Sequence, residues 1–228
     1  MRKRLKRRDF IGRMISATLA GAILGGCFNR ENGESSQESI DSPYESGFGQ
    51  DVSTFEIELS NNRKIPRELV HKLLDQKVDQ YMQRSHHCAQ SSFLALKEQF
   101  GLQGKEIVKA LTPITGIAER GETCGAVTGP LMVFGLIYGR NQSQLDDWNT
   151  YRESLVPSGT FCSLFEKEYG STMCHDIQNL EFGRCFHLTD PDELREFQES
   201  EATEHCSSVV RKAVQIAADI ILDDTTIP

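Results

Sequence analysis

Apolar residues recur at helical spacing along most of this chain, and no stretch shows the strict alternation of a half-buried strand. The pattern predicts a helix opened by Pro66 and carrying Leu69, Leu73, Val78 and Met82. A second carries Ala89, Phe93, Leu96 and Phe100 and stops at Gly101. A short helix runs from about Lys105 to Leu111, ahead of Pro113. Leu131 to Gly139 is an apolar run that reads as the central helix, and Phe161 to Tyr169 is amphipathic and closed by Gly170. Asp190-Pro191-Asp192-Glu193 is a helix start, with a cap, a proline and acids in the first turn. The last helix places Cys206, Val209, Val210, Ala213, Ala217 and Ile220 on one stripe. The expected fold is all-α: a single compact helical domain of orthogonal or bundle type.

The first residues read differently. Arg2, Lys3, Arg4, Lys6, Arg7 and Arg8 precede an apolar stretch from Ile11 to Leu24. That stretch is shorter than the ~20 apolar residues a transmembrane helix needs. Lys6-Arg7-Arg8-Asp9-Phe10-Ile11 resembles a twin-arginine export motif, and Leu24-Gly25-Gly26-Cys27 resembles a bacterial lipobox. Residues 1–26 are therefore expected to be an export signal, and Cys27 the site of lipidation. Residues 27–62 are polar and acidic, with few large apolar residues before Phe55, and read as a disordered tether. Such a tether would hold the domain, residues 63–228, roughly 30–35 Å from its anchor on average. The expected location is the extracytoplasmic face of a membrane, reached by the twin-arginine route and held there by lipid on Cys27.

Removing residues 1–26 takes the net charge from −8 to −14. A mature chain this acidic is a poor partner for nucleic acid or for anionic lipid surfaces. No phosphate loop, nucleotide fingerprint or Ser/His/Asp arrangement stands out.

The chemistry lies in six further cysteines: Cys88, Cys124, Cys162, Cys174, Cys185 and Cys206. Their spacing fits no zinc finger and no CxxC pair, so they can meet only through the fold. Ser85, Ser171 and Thr203 each lie three residues before a cysteine, and Thr123 immediately precedes Cys124. If those residues cap helices, Cys88, Cys124, Cys174 and Cys206 occupy first turns, where amides and helix dipole favour thiolates or a negatively charged metal–sulfur centre. Gly125, Gly129, Gly135 and Gly139 each cost ~1 kcal/mol inside a helix. Close helix approach or room for a cofactor near Cys124 would explain them, packing being the simpler reason for Gly135 and Gly139. Pro130 marks the first turn of its helix or costs it a hydrogen bond.

His87-Cys88-Ala89-Gln90-Ser91, Glu122-Thr123-Cys124-Gly125-Ala126-Val127-Thr128-Gly129, the run Phe165–Cys174 and Cys206-Ser207-Ser208-Val209-Val210 together resemble the redox-active family named for its C…GCAxxG…C…C pattern. The resemblance spans roughly Leu69 to Leu222 and maps the four family cysteines onto Cys88, Cys124, Cys174 and Cys206. That family is similar to the split-Soret cytochromes, which are exported and carry haem c and an iron–sulfur cluster. This chain has no CxxCH, so haem c is not implied. Pro130 departs from the small residue expected there. Cys162 and Cys185 are surplus to the four, and with export they are expected to pair in a disulfide to the Gly183–Asp190 segment.

Three readings stay open. The four cysteines bind an iron–sulfur cluster that passes electrons to a redox partner protein. The same cysteines exchange thiols and disulfides. Or three disulfides staple a non-catalytic lipoprotein. A structural zinc site with four thiolate ligands is a weaker fourth, because its short paired spacings are missing. The twin-arginine route carries chains already folded with their cofactors, which favours the first. His87, His175 and His205 adjoin cysteines but point about 100° away on a helix, so they read as surroundings rather than ligands. His71, His86, His187, Glu119 and Glu122 read as solvated, and Trp148 and Tyr151 as packing residues.

Overall fold

A computed structural model describes residues 52–227. The expected export signal, the expected lipidation site Cys27 and the stretch read as tether, as far as residue 51, lie outside the described residues. Among the described residues ten helices follow in order: α1 (Val52–Arg63), α2 (Arg67–Ser85), α3 (Cys88–Gln99), α4 (Lys105–Ala110), α5 (Gly116–Glu119), α6 (Gly125–Tyr138), α7 (Trp148–Tyr169), α8 (Cys174–Phe182), α9 (Pro191–Glu199) and α10 (Ala202–Asp223). The described residues form no strand, only an antiparallel bridge between Thr123 and Met173. The domain is all-α, and none of its described helices is long and apolar enough to cross a membrane.

Helix α3 is the axis. It packs against α2 on one side and α6 on the other, and α10 lies across all three. Ala89, Phe93, Leu96 and Phe100 are buried, as their spacing predicts. The buried stripe of α2 is Val70, Leu74, Val78 and Met82. The sequence stripe begins one residue out of phase, and Leu69 is exposed. On α10 the stripe holds through Val209, Val210, Ala213 and Ala217, then shifts to Ile221 beside half-buried Ile220.

Three helices are longer or earlier than their patterns predict. Helix α1 occupies the end of the stretch read as tether, because Phe55 and Leu59 enter the core. Asn62 then anchors it, donating to the Gln99 carbonyl at 2.9 Å. Helix α6 begins at Gly125 rather than Leu131, so Pro130 lies inside it and is buried. Proline has no N–H for the Ala126 carbonyl. Helix α7 begins at Trp148 rather than Phe161 and runs through Pro157. Asp147 caps it by accepting from the Asn149 and Thr150 amides, both at 3.0 Å. Only Phe161 and Phe165 of α7 are buried, so its first half carries no apolar stripe to read. Trp148 is 67% exposed. Instead of packing in the core, Trp148 and Tyr151 meet edge to face, with the Arg140 guanidinium over both rings.

Candidate functional site: four thiols around one cavity

Three helices begin at the same place. Cys88 is the first residue of α3 and Cys174 the first of α8, while Cys124 caps the start of α6. Cys206 comes from inside α10, one turn past its start. The four line one cavity of about 30 Å³ with Ala126, Ile177, Gln178, Glu181, Phe182 and Val209.

The expected caps differ in detail. Ser85 ends α2, donating to the Tyr81 carbonyl and accepting from the His87 amide. The α3 cap is the His87 ring, whose Nδ1 accepts from the Gln90 amide at 3.2 Å. Ser171 accepts from the Met173 amide at 3.0 Å, three residues ahead of the first residue of α8. Thr203 lies inside α10 and meets His86 Nδ1 at 2.8 Å.

Local geometry explains the convergence. Around the Thr123–Met173 bridge, the Cys124 amide donates to the Thr172 carbonyl at 2.9 Å and the Cys174 amide to the Glu122 carbonyl at 2.7 Å. This short ladder joins the starts of α6 and α8. Gly125 and Gly129 then bring α6 onto α3. A Cβ at Gly125 would stand 2.3 Å from Cys88 Sγ, and one at Gly129 would stand 2.7 Å from the Ala89 carbonyl oxygen. The close-approach reason therefore holds for these two. Gly135 faces open space and Gly139 ends the helix, against the packing role expected of them.

A strap between α4 and α6 crosses the site. Gly116, Ile117, Ala118 and Glu119 all have positive φ, at 52°, 44°, 59° and 59°. They form a left-handed turn closed by the Glu119 amide on the Thr115 carbonyl at 2.9 Å. Left-handed helix costs roughly 1–2 kcal/mol for each residue with a side chain. Gly116 is where the strap touches the site: a Cβ there would lie 3.7 Å from Cys174 Sγ.

The thiols interact directly. Cys124 is held within hydrogen-bonding reach of both Cys88 and Cys174. Donation from Cys124 pulls the Cys88 thiol down to about 6 against the cost of burial, helped by the Thr115 hydroxyl and the His87 ring. Cys88 Sγ lies 3.8 Å from Thr115 Oγ1, which is 3.0 Å from His87 Nδ1. Hydrogen bonding to Cys174 and Cys88 raises Cys124 correspondingly, and burial raises Cys206. Cys174 Sγ accepts from Gln178 Nε2 at 3.6 Å.

Cys162 and Cys185 are not paired, contrary to the expected disulfide; every cysteine among the described residues is free. Cys162 lies in the second half of α7 beside Glu166, whereas Cys185 follows α8 with its thiol on the Phe186 carbonyl at 3.7 Å. The histidines surround the site. His175 Nδ1 meets the Gly121 carbonyl at 2.7 Å, and His205 Nδ1 meets Glu181 at 3.3 Å. His71 and His86, expected to be solvated, are hydrogen-bonded to Asp219 and Thr203. Among the described residues, no three His, Cys, Asp or Glu side chains form a ready single-ion site.

The family model described as "Putative redox-active protein (C_GCAxxG_C_C)" matches residues 86–220, which contain all four thiols. The chain belongs to this family. No curated protein and no solved structure matches it.

Two site residues escaped sequence reasoning. Gln178 lies four residues after Cys174, and that i, i+4 spacing was a usable signal. Thr115 reaches Cys88 across the strap, and nothing local marks it.

Proposed function

We propose that this redox protein is exported, anchored by lipid on Cys27, and passes electrons through an iron–sulfur cluster held by Cys88, Cys124, Cys174 and Cys206. The observation that carries the reading is the convergence of four thiols on one largely apolar cavity. Four thiolates are the ligand set such a cluster takes. Glu181, the other ionisable side chain lining the cavity, is engaged by His205. The first turns of α3 and α8 present amides toward negative charge. The cavity is about 30 Å³ as it stands, so loading requires the ring of sulfurs to widen. The cluster would supply one-electron chemistry; the chain holds the sulfurs, excludes water and orients N–H groups. Arg7-Arg8 and Leu24–Cys27 support export and anchoring.

A second reading has its own observation, the Cys88 thiol lowered to about 6 beside Cys124. Cys88 thiolate would attack a partner's disulfide, releasing one partner sulfur as thiolate. Cys124 would then displace the second, leaving a Cys88–Cys124 disulfide and a reduced partner. Iron, acid-labile sulfide and zinc per full chain, purified without oxygen, separate the readings. Iron and sulfide in equal amounts with visible charge-transfer bands establish the cluster; a colourless, metal-free protein rules it out and leaves exchange or a disulfide framework, which a redox titration of the thiols separates.

A further inference from the structure

The cavity contains one buried polar side chain that neither the helix caps nor the core requires. Gln178 is 3% exposed and lies one turn after Cys174 on the same face of α8. Its amide has a defined direction. The Phe186 amide, itself buried, donates to Gln178 Oε1 at 2.9 Å. A flipped amide would set donor against donor and strand that buried N–H. Nε2 is therefore aimed into the cavity, where it donates to Cys174 Sγ at 3.6 Å. The other buried polar side chains nearby turn elsewhere: Ser92 donates to backbone carbonyls, and Thr128 to the Gly125 carbonyl.

We propose that Gln178 tunes the reduction potential of the cysteine centre by donating its amide N–H to the Cys174 sulfur; this rests on the redox reading above. When the centre takes up one electron, negative charge on its sulfurs grows, and no bond between heavy atoms forms or breaks. An N–H held against one sulfur stabilises that charge and favours the reduced form. The loop carrying Phe186 is the clamp that keeps the N–H pointing inward. Gln178 touches a sulfur and no substrate, so its effect is on the potential of the centre.

The test is a redox titration of the full chain, purified without oxygen, with dithionite as electron donor and soluble mediators. Gln178→Met keeps the length and loses the donor. Gln178→Glu keeps an acceptor for the Phe186 amide and sets a carboxylate oxygen against the sulfur. At the wild-type midpoint the reduced-to-oxidised ratio falls about ten-fold in Gln178→Met, a shift of about 59 mV for a one-electron couple, and further in Gln178→Glu. A folded Gln178→Met with a lower melting temperature and an unchanged midpoint makes Gln178 a structural clamp only and overturns the proposal. If Gln178→Met does not fold, a Gln178→Glu midpoint at or above wild type overturns it. Iron and sulfide are measured first, so the absence of a cluster is recognised separately. In that case the variants are equilibrated with reduced and oxidised glutathione, and the Cys124–Cys174 disulfide, formed as oxidised glutathione takes two electrons and two protons from that neighbouring pair, is quantified by peptide mapping apart from Cys88–Cys124. The same ten-fold shift, about 30 mV for two electrons, is expected there. An unchanged ratio overturns the proposal in that form too.

Discussion

Replacing Gly129 or Gly135 with alanine makes the same chemical change six residues apart in α6, and the structure requires opposite outcomes. Alanine is favoured over glycine inside a helix by ~1 kcal/mol. At Gly135 a Cβ meets nothing within 4 Å. Gly135→Ala therefore gains the full propensity term. At Gly129 the Cβ would stand 1.9 Å from Ser92 Oγ, 2.7 Å from the Ala89 carbonyl oxygen and 2.9 Å from the Phe93 nitrogen. The Ser92 hydroxyl can rotate away, at the loss of its bonds to Cys88, Ala89 and Gly125 carbonyls. The two backbone atoms cannot, so α3 must move off α6. Overpacking of this kind costs ~1–3 kcal/mol, and with two backbone clashes the upper end applies. Net of propensity, Gly129→Ala destabilises by about 2 kcal/mol. At ~2–4 °C per kcal/mol for a domain of this size, it melts about 4–8 °C below wild type, and Gly135→Ala about 2–4 °C above. Thermal unfolding by circular dichroism, in one metal-loading state, reads both. A Gly129→Ala protein as stable as Gly135→Ala would refute the close α3–α6 contact.

Gly125→Ala sets a Cβ 2.3 Å from Cys88 Sγ, so a folded variant should lose iron loading, or Cys88 reactivity if metal-free; unchanged values of both would contradict the contact. In reduced, metal-free protein, Cys88 should react with iodoacetamide at half its maximal rate near pH 6, because hydrogen bonds favour its thiolate. Cys124→Ala removes the largest of those, so the midpoint must rise toward the ordinary ~8.5; peptide mapping that shows no rise excludes the Cys124 contact. Ala118→Gly relieves a left-handed residue (φ 59°). Against a strain of roughly 1–2 kcal/mol and glycine's extra chain entropy of ~0.5–1 kcal/mol, it should stabilise by about 0.5–1 kcal/mol; a fall in melting temperature would show that the turn is not strained. Asp190→Ala removes the α9 cap, which accepts from the Asp192 and Glu193 amides, at a cost of ~1 kcal/mol; an unchanged urea midpoint would deny the cap.

Legibility followed burial. Helices α3 and α10 could be read residue by residue, because a single stripe carries most of their contacts. The Asp190 cap of α9 was readable because it is local chemistry. The first half of α7 was not, since a solvated half-helix buries little and leaves no period behind. Helix α1 was hidden for the opposite reason. Phe55 and Leu59 are the right distance apart, yet they stand in a polar run whose composition outweighs two apolar residues. The left-handed strap had no signature at all: Ile117 and Ala118 are poor residues for positive φ, and only tertiary contacts hold them there. The four cysteines could be grouped by resemblance. Their meeting depends on the Thr123–Met173 bridge, a contact between segments fifty residues apart that no local pattern encodes.

The Cys-Gly-Ala-Val-Thr-Gly segment shows why packing and chemistry are not rival explanations here. Gly125 and Gly129 lie one turn apart, on the face of α6 that meets α3. Their missing side chains let the two backbones approach, and the first residue brought into contact is Cys88. Cys124, at the cap, is thereby placed beside Cys88 on one side. The bridge through Thr123 places it beside Cys174 on the other. A larger residue at Gly125 would separate the first pair before it affected anything else. The glycines are thus part of the sulfur site by virtue of being packing residues, and the spacing of the motif is the pitch of the helix that carries it.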